Sequence, residues 1–161
     1  MSARRILLLN PNCSTACSDG IAAAIAPFAR QGGPALEVAT VAGGPPGIYS
    51  WADWHAAVAP LVARIAAERA DVFVVACASD PGIEAARAVT GRPVLGVFRC
   101  AVAAAMMRAE RFGVIALADA SIGRHALALR SMGVEGRLAG EIAMNTTIET
   151  LLDPEAARAA L

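Results

Sequence analysis

The stretch Asp71-Val72-Phe73-Val74-Val75-Ala76-Cys77-Ala78-Ser79-Asp80-Pro81-Gly82 decides how the chain is read. Asp71 to Cys77 reads as a strand: Val72 to Ala76 is aliphatic or aromatic without alternation, the pattern of a strand buried on both faces of a parallel sheet. Asp80 is a natural helix N-cap and Pro81 suits the first helical position, so a helix is expected to run from there to about Val89, before Gly91. Strand, polar turn and helix therefore follow one another within a few residues. The thiol of Cys77 stands at the junction.

Working outward, the same succession recurs. Arg5 to Leu9 reads as a first strand ended by the turn Asn10-Pro11-Asn12, and Ser14 or Thr15 can cap a helix running through Ile21, Ile25 and Phe28. Ala35 to Val41 reads as a second strand, followed by a loop over Gly43-Gly44-Pro45-Pro46-Gly47 and a helix from Trp51 to Arg69 with apolar residues at Val58, Leu61, Val62 and Ile65. Pro93 to Phe98 is expected to form a fourth strand and Cys100 to Ala109 the next helix. From Arg111 the first unit's pattern restarts: a strand to Leu117, a polar turn at Ala118 to Ser121, and a helix through Leu127 and Leu129. Val134 to Ala139 is a candidate strand, and Asp153-Pro154-Glu155 opens a last helix.

Strands alternating with helices define an α/β fold: a parallel-sheet, Rossmann-like lobe with helices on both faces over residues 1–98, followed by an incomplete second lobe over 99–161. The composition agrees. Of 161 residues 57% are hydrophobic and only 4% aromatic, which suits helices packed closely on a sheet. All 14 basic residues are arginine, so a catalytic lysine or a pyridoxal phosphate Schiff base is excluded. They are balanced by 14 acidic residues, and no basic block exceeds Arg4-Arg5, which leaves no electrostatic footprint for nucleic acid. The apolar runs are too short to span a bilayer, and Asn10-Pro11-Asn12 interrupts the one run that could imitate an export signal. With four cysteines expected to be free thiols, the reading is a cytoplasmic protein with a small-molecule partner. Cys13-x-x-x-Cys17 alone is a weak zinc pattern, and no metal is expected.

In open parallel sheets, ligands bind beyond the carboxyl ends of the strands. Three polar loops meet there: Asn10 to Ser14, Gly43 to Ser50, and Cys77 to Gly82. The first is either a serine-capped turn or a cradle in which Asn12 and Ser14, with backbone N–H groups, hold a carboxylate or an imide-like ring. Cys77 is either a small buried hydrophobe or a reactive thiol in the field of the helix beginning near Pro81, a field that Asp80 partly opposes. Cys17 and Cys100 are expected on helices against the sheet, and His55 and His125 within helices, with no evident carboxylate or nucleophile partner.

These residues resemble the Asp/Glu/hydantoin racemase family, its hydantoin racemase branch in particular. The resemblance rests on Leu9-Asn10-Pro11-Asn12-x-Ser14, Gly44-Pro45-x-x-Ile48, Val75 to Gly82 followed by Ala85-Ala86-Arg87, Pro93 to Val97, and Arg111-Phe112-Gly113-Val114, in that order. It implies two pseudo-symmetric α/β lobes and a cofactor-independent racemase or epimerase of hydantoins or acidic amino acids. In such enzymes one cysteine from each lobe moves a proton at the α-carbon, on opposite faces of the substrate. By resemblance Cys77 is the first-lobe acid/base, and Asn10, Asn12, Cys13, Ser14, Ser79 and Asp80 contact substrate. Cys13 stands where the family usually has threonine, Ala78 where an aromatic residue is common, and Arg99 where glutamate is frequent. A second-lobe counterpart of Cys77 would fall beyond Leu161. Related single-cysteine decarboxylases and maleate-type isomerases, or an inactive binding remnant, are the alternatives. A shortened second lobe would leave apolar faces open, so a homo-oligomer is expected.

Overall fold

The computed structural model describes residues 4–160; the first three residues and Leu161, which bound the two expected lobes, lie outside that range. Four parallel strands form the first sheet: β1 (Arg5–Asn10), β2 (Ala35–Thr40), β3 (Val72–Val75) and β4 (Val94–Gly96), in the order β2-β1-β3-β4. The helices between them are α1 (Thr15–Ile25), α2 (Trp51–Ala67) and α3 (Ile83–Ala88). The chain steps from β1 outward to β2 and then crosses to the other side of β1, so the strand order reverses between β1 and β3. A crevice opens at the carboxyl ends of strands that part in this way.

Leu7, Leu9, Phe73 and Val75 from the two central strands are buried against Leu61 and Ile65 of α2 and Ile83 and Ala86 of α3. α2 is fixed at its start by a reciprocal capping box. Ser50 Oγ accepts from Asp53 N at 3.1 Å, while Asp53 Oδ2 accepts from Ser50 N at 2.8 Å. α1 is capped by Ser14, as its sequence suggests, and stops at Ile25, because Ala26-Pro27-Phe28 tightens into a 3-10 turn. Phe28, expected on the helix's apolar stripe, is 70% exposed.

After β4 come α4 (Val97–Met106), β5 (Phe112–Ala116), α5 (Asp119–Ser131), β6 (Leu138–Ala143), α6 (Ile148–Leu152) and α7 (Pro154–Ala160). β5 and β6 pair in parallel across α5, the same strand-helix-strand unit as β1, α1 and β2. A second core joins Phe98 and Val102 of α4 to Phe112, Ala128 and Leu129.

Three boundaries depart from expectation for identifiable reasons. Asp80 does not cap α3: its φ is 44° and that of Gly82 is 66°, so the chain passes through two left-handed residues and the helix starts only at Ile83. Asp80 caps α4 instead, accepting from Phe98 N at 3.0 Å and Arg99 N at 2.9 Å. This carboxylate starts α4 at Val97, so Val97 and Phe98 are helical and β4 ends at Gly96, short of the expected Phe98. Gly96 is required there, since a Cβ would lie 2.3 Å from Asp80 Cγ. Further on, a 3-10 turn over Glu135–Arg137 takes up residues read as strand and delays β6 to Leu138. α6, which no sequence signal had marked, is capped by Thr147, whose Oγ1 accepts from Thr150 N at 3.3 Å.

Candidate functional site

A cleft of about 570 Å³ opens at the β1/β3 switch point, within the range of about 300–1,000 Å³ usual for small-molecule sites. Its floor is made by Asn10 and Asn12 after β1 and by Ala76, Cys77, Ala78 and Ser79 after β3. α1 supplies Cys17, Gly20, Ile21 and Ala24, and the loop after β2 supplies Ile48. The far wall comes from the second sheet and its helices: Ile115, Leu117, Ser121, Arg124, His125, and Ile148, Leu151 and Leu152 of α6. Tyr49 ties the sides together, its hydroxyl accepting from Ile148 N at 3.2 Å.

Cys77 lies one residue beyond the last ladder bond of β1 with β3, where Ala76 N donates to Leu9 O at 2.9 Å. Its thiol keeps partial access to the cleft and lies 3.5 Å from Ser79 Oγ. Burial pushes the thiol above its ordinary pKa; the hydrogen bonds with Ser79 and the Arg124 charge act the other way, and the nearby Asp80 carboxylate adds to the rise. The thiolate-favouring helix field expected from Pro81 is weak here, because α3 begins two residues later. At neutral pH the resting form is the thiol, a proton donor.

The Asn10 to Ser14 loop is a closed hydrogen-bond network. Asn10 Nδ2 donates to Asn12 Oδ1 at 2.8 Å, to Ser14 O at 3.0 Å and to Ser18 Oγ at 3.1 Å, while Asn10 Oδ1 accepts from Asn12 N at 3.2 Å. Asn12 Oδ1 also accepts from Ser14 N at 2.9 Å, so the Asn12 amide nitrogen is the donor left over. Asn10 holds the loop, Asn12 presents to the cleft, and Ser14 serves as the helix cap outside the lining. Cys13 is exposed and bonded through its N–H to Pro45 O at 2.9 Å, also outside the lining. Of the seven sequence-derived site residues, the structure thus brings Asn10, Asn12, Cys77 and Ser79 to one cleft. Asp80 faces the other way, 2% exposed, onto a smaller hollow of about 280 Å³ beside Arg99 and Glu84. Burial raises its pKa against the opposing pull of the Arg99 and Phe98 N–H groups.

Three residues outside the sequence-derived site set, Cys17, Arg124 and His125, also line the cleft. Cys17 opens on it from α1, whereas Cys100, expected to pack on the sheet, is exposed. His125, expected to lack a carboxylate partner, is 3% exposed; its Nδ1 lies 2.5 Å from Glu141 Oε1 on β6, and its ring stacks on Phe98 at 4.5 Å. Glu141 Oε2 is buried without a partner. Arg124 is 2% exposed and its guanidinium lies 6.0 Å over the Trp51 ring. A signal for both existed: Ser121, Arg124, His125, Ala128 and Leu129 fall on one stripe of α5 at helical spacing. Among the described residues no group of three or more His, Cys, Asp or Glu is placed to hold a metal, and no helix is long and apolar enough to cross a membrane.

A parallel α/β lobe facing a second strand-helix-strand unit, with a thiol at the switch point between them, defines a two-lobed class of proteins with a small-molecule cleft. The Asp/Glu/hydantoin racemase family model matches residues 6–161, and the chain belongs to that family. It is 36% identical over 114 residues to a hydantoin racemase of Pseudomonas sp. (strain NS671), covering 69% of this chain and 45% of that one. It is 31% identical over 140 residues to a hydantoin racemase of Paenarthrobacter aurescens, covering 84% and 58%. The chain therefore spans about half the length of these curated relatives. Among solved structures, allantoin racemase from Klebsiella pneumoniae superposes with a TM-score of 0.90 at 29% identity, covering 98% of this chain and 66% of that one. Allantoin racemase from Pseudomonas fluorescens gives 0.86 at 22% identity over 97% and 67%, a likeness of fold.

Proposed function

We propose that the chain moves a proton at the α-carbon of an amino-acid derivative, a 5-substituted hydantoin or an acidic amino acid, as a cofactor-independent racemase or epimerase in which Cys77 is the acid/base. The observation that carries this reading is the placement of the Cys77 thiol at the β1/β3 switch point, open to a cleft of small-molecule size and 3.5 Å from Ser79 Oγ. Family membership and the hydantoin and allantoin racemases it resembles supply the substrate class.

In the forward step the thiolate takes the α-proton: the C–H bond breaks, an S–H bond forms, and the electron pair moves to the adjacent carbonyl oxygen as an enolate. The Asn12 amide and Ser79 hydroxyl are the donors on the cleft floor for that oxygen. Return of a proton to the same face of the carbon restores the substrate with exchange, and delivery to the opposite face gives its enantiomer. Because burial raises the thiol pKa, the thiolate fraction and hence the rate climb as pH rises into the alkaline range. The reading includes lobes over 1–98 and 99–161 and a cytoplasmic setting, which the four free thiols favour.

The test is deuterium incorporation at the α-carbon of enantiopure 5-substituted hydantoins and acidic amino acids in deuterated water. Cysteine-dependent exchange supports the reading; its absence across the panel refutes it.

A further inference from the structure

Arg124 is the buried arginine of the cleft, and its hydrogen-bonding is incomplete. A guanidinium carries five N–H groups. Nη2 donates to Ser121 Oγ at 3.0 Å and Nη1 to Tyr49 O at the long distance of 3.5 Å, while Nε is buried with no acceptor. No carboxylate lies within ion-pair distance among the described residues, although other arginines find one. Arg5 pairs with Glu37 and Glu68, and Arg99 with Glu84 and Asp80. A buried cation without a counter-ion is costly unless something else neutralises it, and the face of Trp51 does so only in part. The guanidinium fork is matched by a planar, two-oxygen anion.

We propose that Arg124 is the residue that selects substrate in this cleft, recognising a carboxylate borne by the carbon acid, so that the site favours carboxylate-bearing substrates over their neutral isosteres. This deepens the proton-transfer reading and rests on it for the identity of the site, but concerns binding alone. The carboxylate supplies the acceptors that Arg124 lacks, and Asn12 on the cleft floor has an amide donor left for a ring or carbonyl oxygen of the same ligand. A neutral substituent at that place would leave the cation unpaired and buried.

The experiment uses Cys77→Ser protein, in which thiol chemistry is absent, and two probes: hydantoin bearing a carboxymethyl group at C5 and its carboxamide. Affinities are read from the fluorescence of Trp51 and Trp54, and the Arg124 side-chain Nε–H resonance is followed by NMR in the unsubstituted protein. The acid is expected to bind at least about ten-fold more tightly, about 1.4 kcal/mol. It should shift the Nε–H resonance where the amide does not, and lose its advantage in Arg124→Gln while keeping part of it in Arg124→Lys. Equal affinity for acid and amide, no binding of either, or a preference that survives in folded Arg124→Gln overturns the proposal. Should Arg124→Gln fail to fold, the wild-type resonance decides. Failure of α-proton exchange with the carboxylate preference intact would refute the Cys77 chemistry and leave this assignment standing.

Discussion

Asp80 offers the sharpest test of how the site is built, because sequence places it against substrate while the structure gives it a different task. Its carboxylate accepts from two backbone N–H groups of α4 and lies 3.7 Å from Arg99 Nη1, with the side chain wholly buried. Replacing it with alanine leaves two buried donors unpaired, each at about 1–3 kcal/mol. It also puts a Cβ residue without a local hydrogen bond at φ 44°, at about 1 kcal/mol more. Water entering the adjacent hollow offsets part of this, so Asp80→Ala should cost about 3 kcal/mol. For a chain of this size that is roughly 6–12 °C in Tm. Asp80→Asn keeps one acceptor and tolerates the left-handed backbone, and should cost about half as much. Urea unfolding measures both, with the slope m unchanged. The pH dependence has a definite sign. Burial raises the folded-state pKa of Asp80, so its contribution is full below the ordinary carboxylate pKa and is lost as pH rises through the raised value. The stability difference between wild type and Asp80→Asn should therefore shrink over that window. A loss below about 1 kcal/mol for Asp80→Ala would refute the capping role, and a difference that does not vary with pH would refute the dominance of burial over the capping bonds in setting this pKa.

Other consequences follow from neighbouring groups. The His125–Glu141 pair is buried on both sides, so Glu141→Ala or His125→Ala alone should destabilise by about 3–5 kcal/mol, whereas an apolar double replacement of similar volume should recover much of the loss in the same urea assay. The Ser50 and Asp53 capping box should be worth about 1 kcal/mol, read from Ser50→Ala. Hydrogen bonds from Ser50 hold Asp53 below its ordinary pKa, so the contribution of this carboxylate is present above that value and fades as pH falls through the lowered one. Ile115 and Ile142, register partners on β5 and β6, are 58% and 69% exposed, and self-association through this face is expected. Light scattering should show a species heavier than the monomer that Ile142→Glu disperses; a stable wild-type monomer would rule it out.

The first sheet was legible because its strands are uninterrupted aliphatic runs between turn residues, and Leu7, Leu9, Phe73 and Val75 do form the central core. The restart at Arg111 was legible as pattern, and β5-α5-β6 repeats the connection of β1-α1-β2. What escaped depends on distance in space. That Asp80 caps α4 rather than α3 turns on a carboxylate reaching 18 residues ahead, which no local propensity encodes. Thr147 marks a helix too short to show periodicity. Nothing local in the sequence singles out Arg124 or gives His125 its carboxylate partner; only packing of α5 against Trp51, Phe98 and β6 turns them inward. Cys77 and Asn12 share one cleft, as the sequence led one to expect, because loops after adjacent parallel strands converge by topology alone.

The central claim is that the Cys77 thiol exchanges the α-proton of a carbon acid bound in the cleft. Its most direct measurement is proton NMR of an enantiopure 5-substituted hydantoin in deuterated water, with wild type, Cys77→Ser and Cys17→Ser compared at matched concentration. Loss of the α-proton signal is expected with wild type and with Cys17→Ser, faster at higher pH, and at the uncatalysed rate with Cys77→Ser. Undiminished exchange in folded Cys77→Ser, or none above background with wild type on any substrate of the panel, would contradict it.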